Sequence, residues 1–117
     1  MPILDKSGTD MTEMYTGFKR WSVVDGTRGS TQVSVAEVLM EPGSSPPLHA
    51  HPTEETILIA EGELEAYIGD ETKMVTAGQF VLAPPGVKHG FSNKSGKPAL
   101  IYGIHPTPAV QTEWDEE

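Results

Sequence analysis

Apolar residues occur along this chain in short runs that alternate with polar positions, and glycine and proline separate one run from the next. No window of about ten residues keeps the spacing of roughly 3.6 residues that an amphipathic helix requires. The pattern predicts about eight to ten short strands at spacings of roughly 8–12 residues. The clearest predicted strands are 21–24, 32–41, 56–60, 64–68, 72–76, 79–83, a short one at Phe91, and 99–104. Strands of this length and spacing predict an all-β sandwich or barrel with antiparallel pairing.

The two ends of the chain carry weaker patterns than its centre. Residues 1–20 are polar with scattered aromatic side chains, and they predict an arm with no packed element. Residues 113–117 are acidic and predict a frayed tail. We expect a single domain over residues 1–117, because a second domain would leave neither half enough chain for a core.

The interior of the predicted barrel is assigned to its apolar strand faces. In the run 32–41, Val33, Val35 and Leu39 fall on one face, whereas Ala36, Val38 and Met40 fall on the other. Apolar groups on both faces indicate a strand that is covered on both sides. The residues expected to fill the barrel are Val33, Val35, Leu39, Ile57, Ile59, Val81 and Phe91.

Composition and charge narrow the function classes. The chain has no cysteine, which excludes disulfides, zinc ribbons, iron–sulfur clusters and cysteine nucleophiles. Seventeen acidic and eight basic residues give a net charge of −9, which argues against nucleic acid and anionic membranes as partners. No apolar run approaches the ~18–20 residues that span a bilayer, and the first residues are too polar for a signal peptide. We therefore expect a cytoplasmic protein.

Three histidines and one glutamate form the candidate chemical site. His49 and His51 are alternate residues, and Glu55 has the same parity, so on a strand all three project to one face. His89 follows a Pro-Pro-Gly turn, from which a neighbouring strand can bring it alongside. Imidazoles suit iron, nickel, copper and zinc, and a carboxylate extends the range to manganese. The same residues also fit exposed strands without a metal, and spacing alone leaves both interpretations open.

Other polar residues are assigned to the surface or to structural roles. Glu54 has the opposite parity to His51 and should face away from the site. His105 follows the last predicted strand and is interpreted as a surface residue. No catalytic acid or base beyond the candidate metal ligands is assigned, because surface or structural roles are favoured for Glu37, Tyr67, Gln79 and Tyr102.

Two longer motifs give a family resemblance. The pattern Gly43-x5-His49-x-His51-x3-Glu55-x6-Gly62 resembles the first cupin motif at every fixed position. The pattern Gly78-x5-Pro84-x-Gly86-x2-His89-x3-Asn93 resembles the second, again at every fixed position. The resemblance implies a small single-domain cupin of the conserved-barrel type, a double-stranded β-helix or jelly-roll barrel. It also implies that His49, His51, Glu55 and His89 bind one divalent transition metal: manganese, iron, nickel, copper or zinc.

The resemblance implies a range of functions rather than one. Cupins include dioxygenases, isomerases, epimerases, lyases, decarboxylases and non-catalytic binding proteins, and a fold does not choose between them. The length of 117 residues argues against the two-domain oxalate oxidoreductases and seed storage proteins. We expect a small mononuclear metalloenzyme of the dioxygenase, isomerase or lyase type that acts on an oxygen-rich small molecule. The alternative is a non-catalytic cupin module that binds a metal or a small ligand.

Association with a second copy is also expected. Single-domain cupins commonly form dimers, and an arm that carries Tyr15, Phe18 and Trp21 can cover the open sheet edge of a partner. The resemblance therefore implies a homodimer.

Overall fold

Short strands make up nearly all of the regular structure in the computed structural model, which describes residues 1–115. The strands in this part of the chain are β1 (Met11–Tyr15), β2 (Phe18–Val24), β3 (Ser34–Met40), β4 (His49–Ala50), β5 (Glu55–Glu61), β6 (Glu63–Ile68), β7 (Glu71–Thr76), β8 (Phe80–Ala83), β9 (His89–Ser92), β10 (Ala99–His105) and β11 (Glu113–Trp114). One 3-10 turn, Gly26–Arg28, joins β2 to β3. None of the described residues belongs to a helix long and apolar enough to cross a membrane. The cytoplasmic location and the single domain stay predictions.

The strands form two antiparallel sheets, which confirms the predicted all-β jelly-roll architecture. The first sheet has the order β1-β2-β3-β10-β5-β8, and the second has the order β11-β4-β9-β6-β7. Strands that are distant in sequence are neighbours in both sheets: β10 lies between β3 and β5, and β9 lies between β4 and β6. This interleaving brings residues from the middle and the end of the chain to the same place.

The core lies between the two sheets and is built by alternation along the strands. In β3 the buried residues are Ser34, Ala36, Val38 and Met40. Ile57, Ile59, Val81 and Phe91 are buried as predicted.

The prediction of which face of β3 points into the barrel was wrong. Val33 is 44% exposed, and Val35 and Leu39 are only half-buried on the outer face. Both faces of this strand are apolar, so alternation alone does not choose between them. The choice depends on the register with β10, in which Val38 lies opposite the buried Ile101.

The first twenty residues do not form the predicted arm. They contribute β1 and the start of β2, which extend the six-stranded sheet beyond β3. Backbone pairing, which needs no apolar pattern, holds the exposed edge strand β1 in place. The ring centroid of Tyr15 lies 4.9 Å from that of Trp114 in the same chain, and Phe18 packs against the core. These aromatic side chains are thus engaged within their own subunit.

The prediction of a frayed tail over residues 113–117 was also wrong for the residues that the structure describes. Glu113 and Trp114 form β11 and pair with Ala50 and His49 of β4. The last two residues of that prediction, 116–117, lie outside the described residues.

Candidate metal centre

The predicted site residues meet at one end of the space between the two sheets. His49 in β4 and His89 at the start of β9 lie opposite each other in the five-stranded sheet. Glu55 is the first residue of β5 in the six-stranded sheet, and His51 lies in the segment that connects β4 to β5. His51, Glu55 and His89 are buried, and His49 is half-buried. Both sheets therefore supply side chains to the same cluster.

The four side chains converge closely. One nitrogen or oxygen atom from each of His49, His51, Glu55 and His89 lies within 4.8 Å of those from the others. His89 Nε2 lies 2.8 Å from Glu55 Oε1, and His51 Nε2 lies 3.3 Å from the same oxygen. The structure thus brings together all four residues that the sequence singled out.

Two of the imidazoles are oriented by backbone carbonyls. His51 Nδ1 lies 2.9 Å from the carbonyl oxygen of Gln111, and His89 Nδ1 lies 3.0 Å from that of Val87. A carbonyl oxygen only accepts hydrogen bonds, so Nδ1 is the donor in each ring. The neutral form of each ring then presents the lone pair of Nε2 to the cluster, which is the arrangement that a metal-binding histidine needs.

The donor set suits a divalent transition metal. His51 Nε2 is buried, and among the described residues its polar contact is the 3.3 Å approach to Glu55 Oε1, which does not meet hydrogen-bond geometry. Metal bonds of about 2.0–2.2 Å place adjacent ligand atoms about 3 Å apart. The separations of 2.8 and 3.3 Å between Glu55 Oε1 and the two Nε2 atoms are close to that value. Three imidazoles and one carboxylate match the preferences of first-row metals.

His105, predicted to lie on the surface, is instead buried beside the cluster. The residue is 2% exposed, and its Nε2 lies 3.0 Å from Glu55 Oε2. The prediction failed because it ended the last strand at residue 104, whereas β10 continues through His105. His105 shares its parity with the inward-facing Ile101, so a strand one residue longer would have placed it correctly.

The three contacts to Glu55 divide between its two oxygens. His105 bonds to Oε2, which leaves Oε1 towards His51 and His89. A carboxylate fixed in this way offers one oxygen to a metal. We therefore assign His105 as the residue that orients Glu55.

The charges in the cluster are set by burial and by these contacts. Burial opposes ionisation of Glu55, but the close contacts with His105, His51 and His89 outweigh it and hold the pKa of the carboxyl well below its ordinary value. Burial likewise opposes the charged form of His89, and the bond to Glu55 outweighs it and raises the pKa of that imidazole. For His49 burial prevails, reinforced by His89 and His51, and lowers its pKa to about 3. Glu55 is thus ionised and His49 neutral at neutral pH.

Gly103 leaves the space that the Glu55 carboxylate occupies. Gly103 lies in β10 opposite Ile57, on the inward face of the sheet. A β-carbon added at this position would overlap Glu55 Oε2. An alanine at this position would therefore displace the Glu55 carboxylate from its place in the cluster.

The cluster lines a cavity between the two sheets. Its volume of ≈ 70 Å³ is room for several water molecules. Outside the histidines and Glu55 its walls are mostly apolar, with Arg20 and Thr112 as polar exceptions; the apolar residues are Phe18, Ala36, Val38, Pro46, Ile57, Phe91, Ile101, Val110 and Trp114. Glu54 is exposed, as predicted. Glu37, Tyr67, Gln79 and Tyr102 do not line this cavity.

The C-terminal strand closes one side of the cavity. The indole ring of Trp114 lies 4.5 Å from the His49 ring, centroid to centroid. Thr112 Oγ1 lies 3.3 Å from His51 Nδ1, beside the Gln111 carbonyl. The sequence offered no signal for these contacts, because they depend on the pairing of β11 with β4.

Comparisons with known proteins agree with this fold. A family model described as the cupin domain matches residues 36–105, which is more than half of the chain. The polyketide cyclase RemF of Streptomyces resistomycificus superposes with a TM-score of 0.82 at 22% identity, covering 100% of this chain and 88% of that one. An oxalate decarboxylase of Lactobacillus farciminis gives a TM-score of 0.84 at 21% identity, covering 92% of this chain and 34% of that one. Identities this low show the fold alone.

Curated relatives are similar in sequence but longer. The H2HPP isomerase of Bacillus subtilis is 29% identical over 118 residues, which span 92% of this chain and 48% of the relative. The polyketide synthase CurC of Streptomyces cyaneus is 30% identical over 82 residues, 68% of this chain and 53% of the relative. The chain spans about half the length of each of these two relatives.

Proposed function

Because the chain belongs to the cupin family, we propose that it is a mononuclear metalloprotein. In this proposal His49, His51, Glu55 and His89 hold one divalent transition metal, which is manganese, iron, nickel, copper or zinc. The observation that carries the proposal is the convergence of three imidazoles and one carboxylate within 4.8 Å of one another. The buried Nε2 atom of His51, which makes no hydrogen bond among the described residues and lies 3.3 Å from Glu55 Oε1, supports it.

We further propose that the protein is a small metalloenzyme of the dioxygenase, isomerase or lyase type. Its substrate would be an oxygen-rich small molecule that enters the cavity beside the cluster. The relatives support this range, since the similar proteins include an isomerase, a decarboxylase and a cyclase. A bound divalent ion would polarise a substrate carbonyl or lower the pKa of a bound water molecule.

The protein's own residues hold the site in a reactive arrangement. His105 fixes one oxygen of Glu55, and the carbonyls of Gln111 and Val87 fix two imidazole rings. Donors fixed in advance do not have to reorganise during the reaction. The apolar walls limit the water around a bound substrate, which strengthens electrostatic interactions inside the cavity.

A non-catalytic binding function is the second candidate. The observation that favours it is the apolar lining, which supplies no side chain with obvious acid or base character beyond the cluster itself, His105 and Arg20. In that case the ligand would occupy the open positions of the ion without reacting. Metal-loaded protein would then bind a small ligand without forming a product.

The test is metal analysis by mass spectrometry of matched glutamate variants. Glu55→Gln removes the proposed carboxylate ligand, whereas Glu54→Gln makes the same change at the adjacent exposed position. We expect about one equivalent of metal in the wild type and in Glu54→Gln, and much less in Glu55→Gln. Equal metal content in all three proteins, or none in any, would refute the proposed metal site.

We also propose that the protein forms a homodimer through the outer face of the six-stranded sheet. This face is mostly apolar across three neighbouring strands: its outward residues include Leu58, Phe80, Leu82, Tyr102 and Ile104, with Thr56 as a polar exception. Phe80 and Leu82 are 64% and 56% exposed. Contiguous exposed apolar surface of this kind is typical of protein–protein interfaces.

Sedimentation velocity tests the dimer. We expect a dimer for the wild type and a monomer for Leu82→Lys, which places a charge among the exposed apolar residues of the edge strand β8. A 12.6 kDa species for the wild type would rule the dimer out.

A further inference from the structure

Arg20 is a cation that points into the cavity. In the pairing of β2 with β3 it lies opposite the buried Val38, and Phe18 lies opposite the buried Met40. Residues that lie opposite each other in a sheet share a face, so Arg20 is on the inward side of β2. It lines the same cavity as the metal cluster.

The guanidinium group of Arg20 has no hydrogen-bond or ion-pair partner among residues 1–115. The contrast with Arg28 is clear, because Arg28 Nη1 donates to the carbonyls of Asp5 and Val23, each at 2.8 Å. Lys19, the neighbour of Arg20 on the outer face, pairs with Glu41 at 2.7 Å. A half-buried guanidinium with unused donors is available to a ligand that enters the cavity.

The carboxylates of Glu55 and Asp25 act electrostatically on Arg20, but both are bound by other groups. Glu55 is held by the histidine cluster. Asp25 accepts hydrogen bonds from Ser22 Oγ at 2.8 Å and from the backbone N–H of Thr27 at 2.9 Å. The donors of Arg20 therefore remain available to a molecule in the cavity.

We propose that Arg20 is the carboxylate-binding residue of this cavity, and that the ligand is a small carboxylic acid that also chelates the metal. This inference rests on the proposed function, because it requires a metal in the cluster. Guanidinium binds carboxylate through two parallel hydrogen bonds, and such charge-assisted bonds are the strong ones. Arg20 would touch the ligand directly and would therefore be a substrate-binding residue.

The charge balance of the cavity favours a dianion. A divalent ion, one carboxylate and one guanidinium then leave two uncompensated positive charges in an apolar enclosure, which a dicarboxylate neutralises. The volume of ≈ 70 Å³ limits the ligand to a few carbon atoms. Small dicarboxylates meet both conditions.

Isothermal titration calorimetry of metal-loaded protein with malonate tests the proposal, with the uncharged malonamide as a matched ligand. The variants are Arg20→Gln, Arg20→Lys and the control Lys19→Gln, which removes the same charge from the outer face of the same strand. We expect the Kd for malonate to rise about ten- to a hundredfold in Arg20→Gln and less in Arg20→Lys. Lys19→Gln should bind malonate like the wild type, and malonamide should bind weakly to every protein.

Metal content and circular dichroism, measured on the same samples, separate the outcomes. If the wild type holds metal but Arg20→Gln binds malonate as tightly, the inference about Arg20 fails and the proposed metal site stands. Tighter binding of inorganic phosphate than of malonate by the wild type would overturn the carboxylate class. If the wild type takes up no metal, the proposed function fails, and this inference falls with it.

Discussion

The carbonyl oxygen of Gln111 lies 2.9 Å from Nδ1 of His51, although the two residues are 60 positions apart in the sequence. The C-terminal segment therefore orients a candidate metal ligand in the middle of the chain. Since Nδ1 is the donor, the Nε2 lone pair of the neutral ring faces the cluster.

This relationship predicts the tautomer of His51. In metal-loaded protein at neutral pH we expect His51 and His89 to carry their protons on Nδ1, because each Nδ1 faces a carbonyl oxygen. Nitrogen-15 chemical shifts from a long-range proton–nitrogen NMR correlation distinguish the two ring nitrogens directly. A proton on Nε2 of His51 in the loaded protein would contradict the ligand assignment for that residue.

We expect metal-free protein to become less stable between pH 6.5 and 4.5 because of His49. Burial lowers the pKa of His49 from 6.5 to about 3, so only the unfolded chain takes up this proton in that window. The free energy of unfolding should then fall by about 1.4 kcal/mol per pH unit from this group. His89 has a raised pKa, so its stabilisation is fully present below 6.5 and is lost only at higher pH. Glu55 has a lowered pKa, so the stability that its ionised form contributes begins to be lost only near pH 4.5, at the lower edge of the window.

Urea unfolding of chelator-treated protein across this window measures the effect. His49→Gln removes the titrating group and should flatten the pH dependence by the amount assigned to His49. Titration of the surface carboxylates changes the free energy of unfolding of both proteins equally. The same slope in the variant and in the wild type would show that His49 titrates normally.

Gly103→Ala should weaken metal binding, because the added β-carbon overlaps Glu55 Oε2 and displaces the carboxylate. We expect a loss of metal affinity of about tenfold or more, as is usual when the support of a ligand is disturbed. The double variant Gly103→Ala with Glu55→Asp shortens the carboxylate and should recover part of the loss. Additive losses in the double variant would argue against a direct clash. Metal titration followed by calorimetry provides the affinities.

His105→Phe should also lower metal affinity, by about 10–100-fold, because it removes the donor that holds Glu55 Oε2. His105→Gln keeps an N–H donor of similar reach and should retain more of the affinity. Thermal unfolding with and without metal separates the two roles of this buried residue. If both variants bind metal like the wild type, His105 has only a packing role.

The candidate cluster was predictable from the sequence because its chemistry is local. His49 and His51 are alternate residues, and the motif around Glu55 has fixed spacings. His89 comes from another strand, but a turn of proline and glycine precedes it and gives a second local signal. The predicted jelly roll followed from the same two motifs.

The residues that complete the site depend on long-range pairing, which the sequence does not display. His105 reaches Glu55 only because β10 pairs with β5, and Arg20 enters the cavity only because β2 pairs with β3. A polar edge strand such as β1 has no apolar pattern to reveal it, since backbone hydrogen bonds alone define it. The inward face of β3 was misassigned for a related reason, because both of its faces are apolar.

The candidate site lies on the seam between the two sheets. His49 and His89 belong to the five-stranded sheet, whereas Glu55, His105 and Arg20 belong to the six-stranded sheet. An ion bound there would act as a cross-link between the two halves of the barrel, in a chain that has no cysteine with which to make one. Resistance to proteases would then increase with metal occupancy. A shortage of metal would therefore shorten the lifetime of the protein in addition to removing its metal-dependent function.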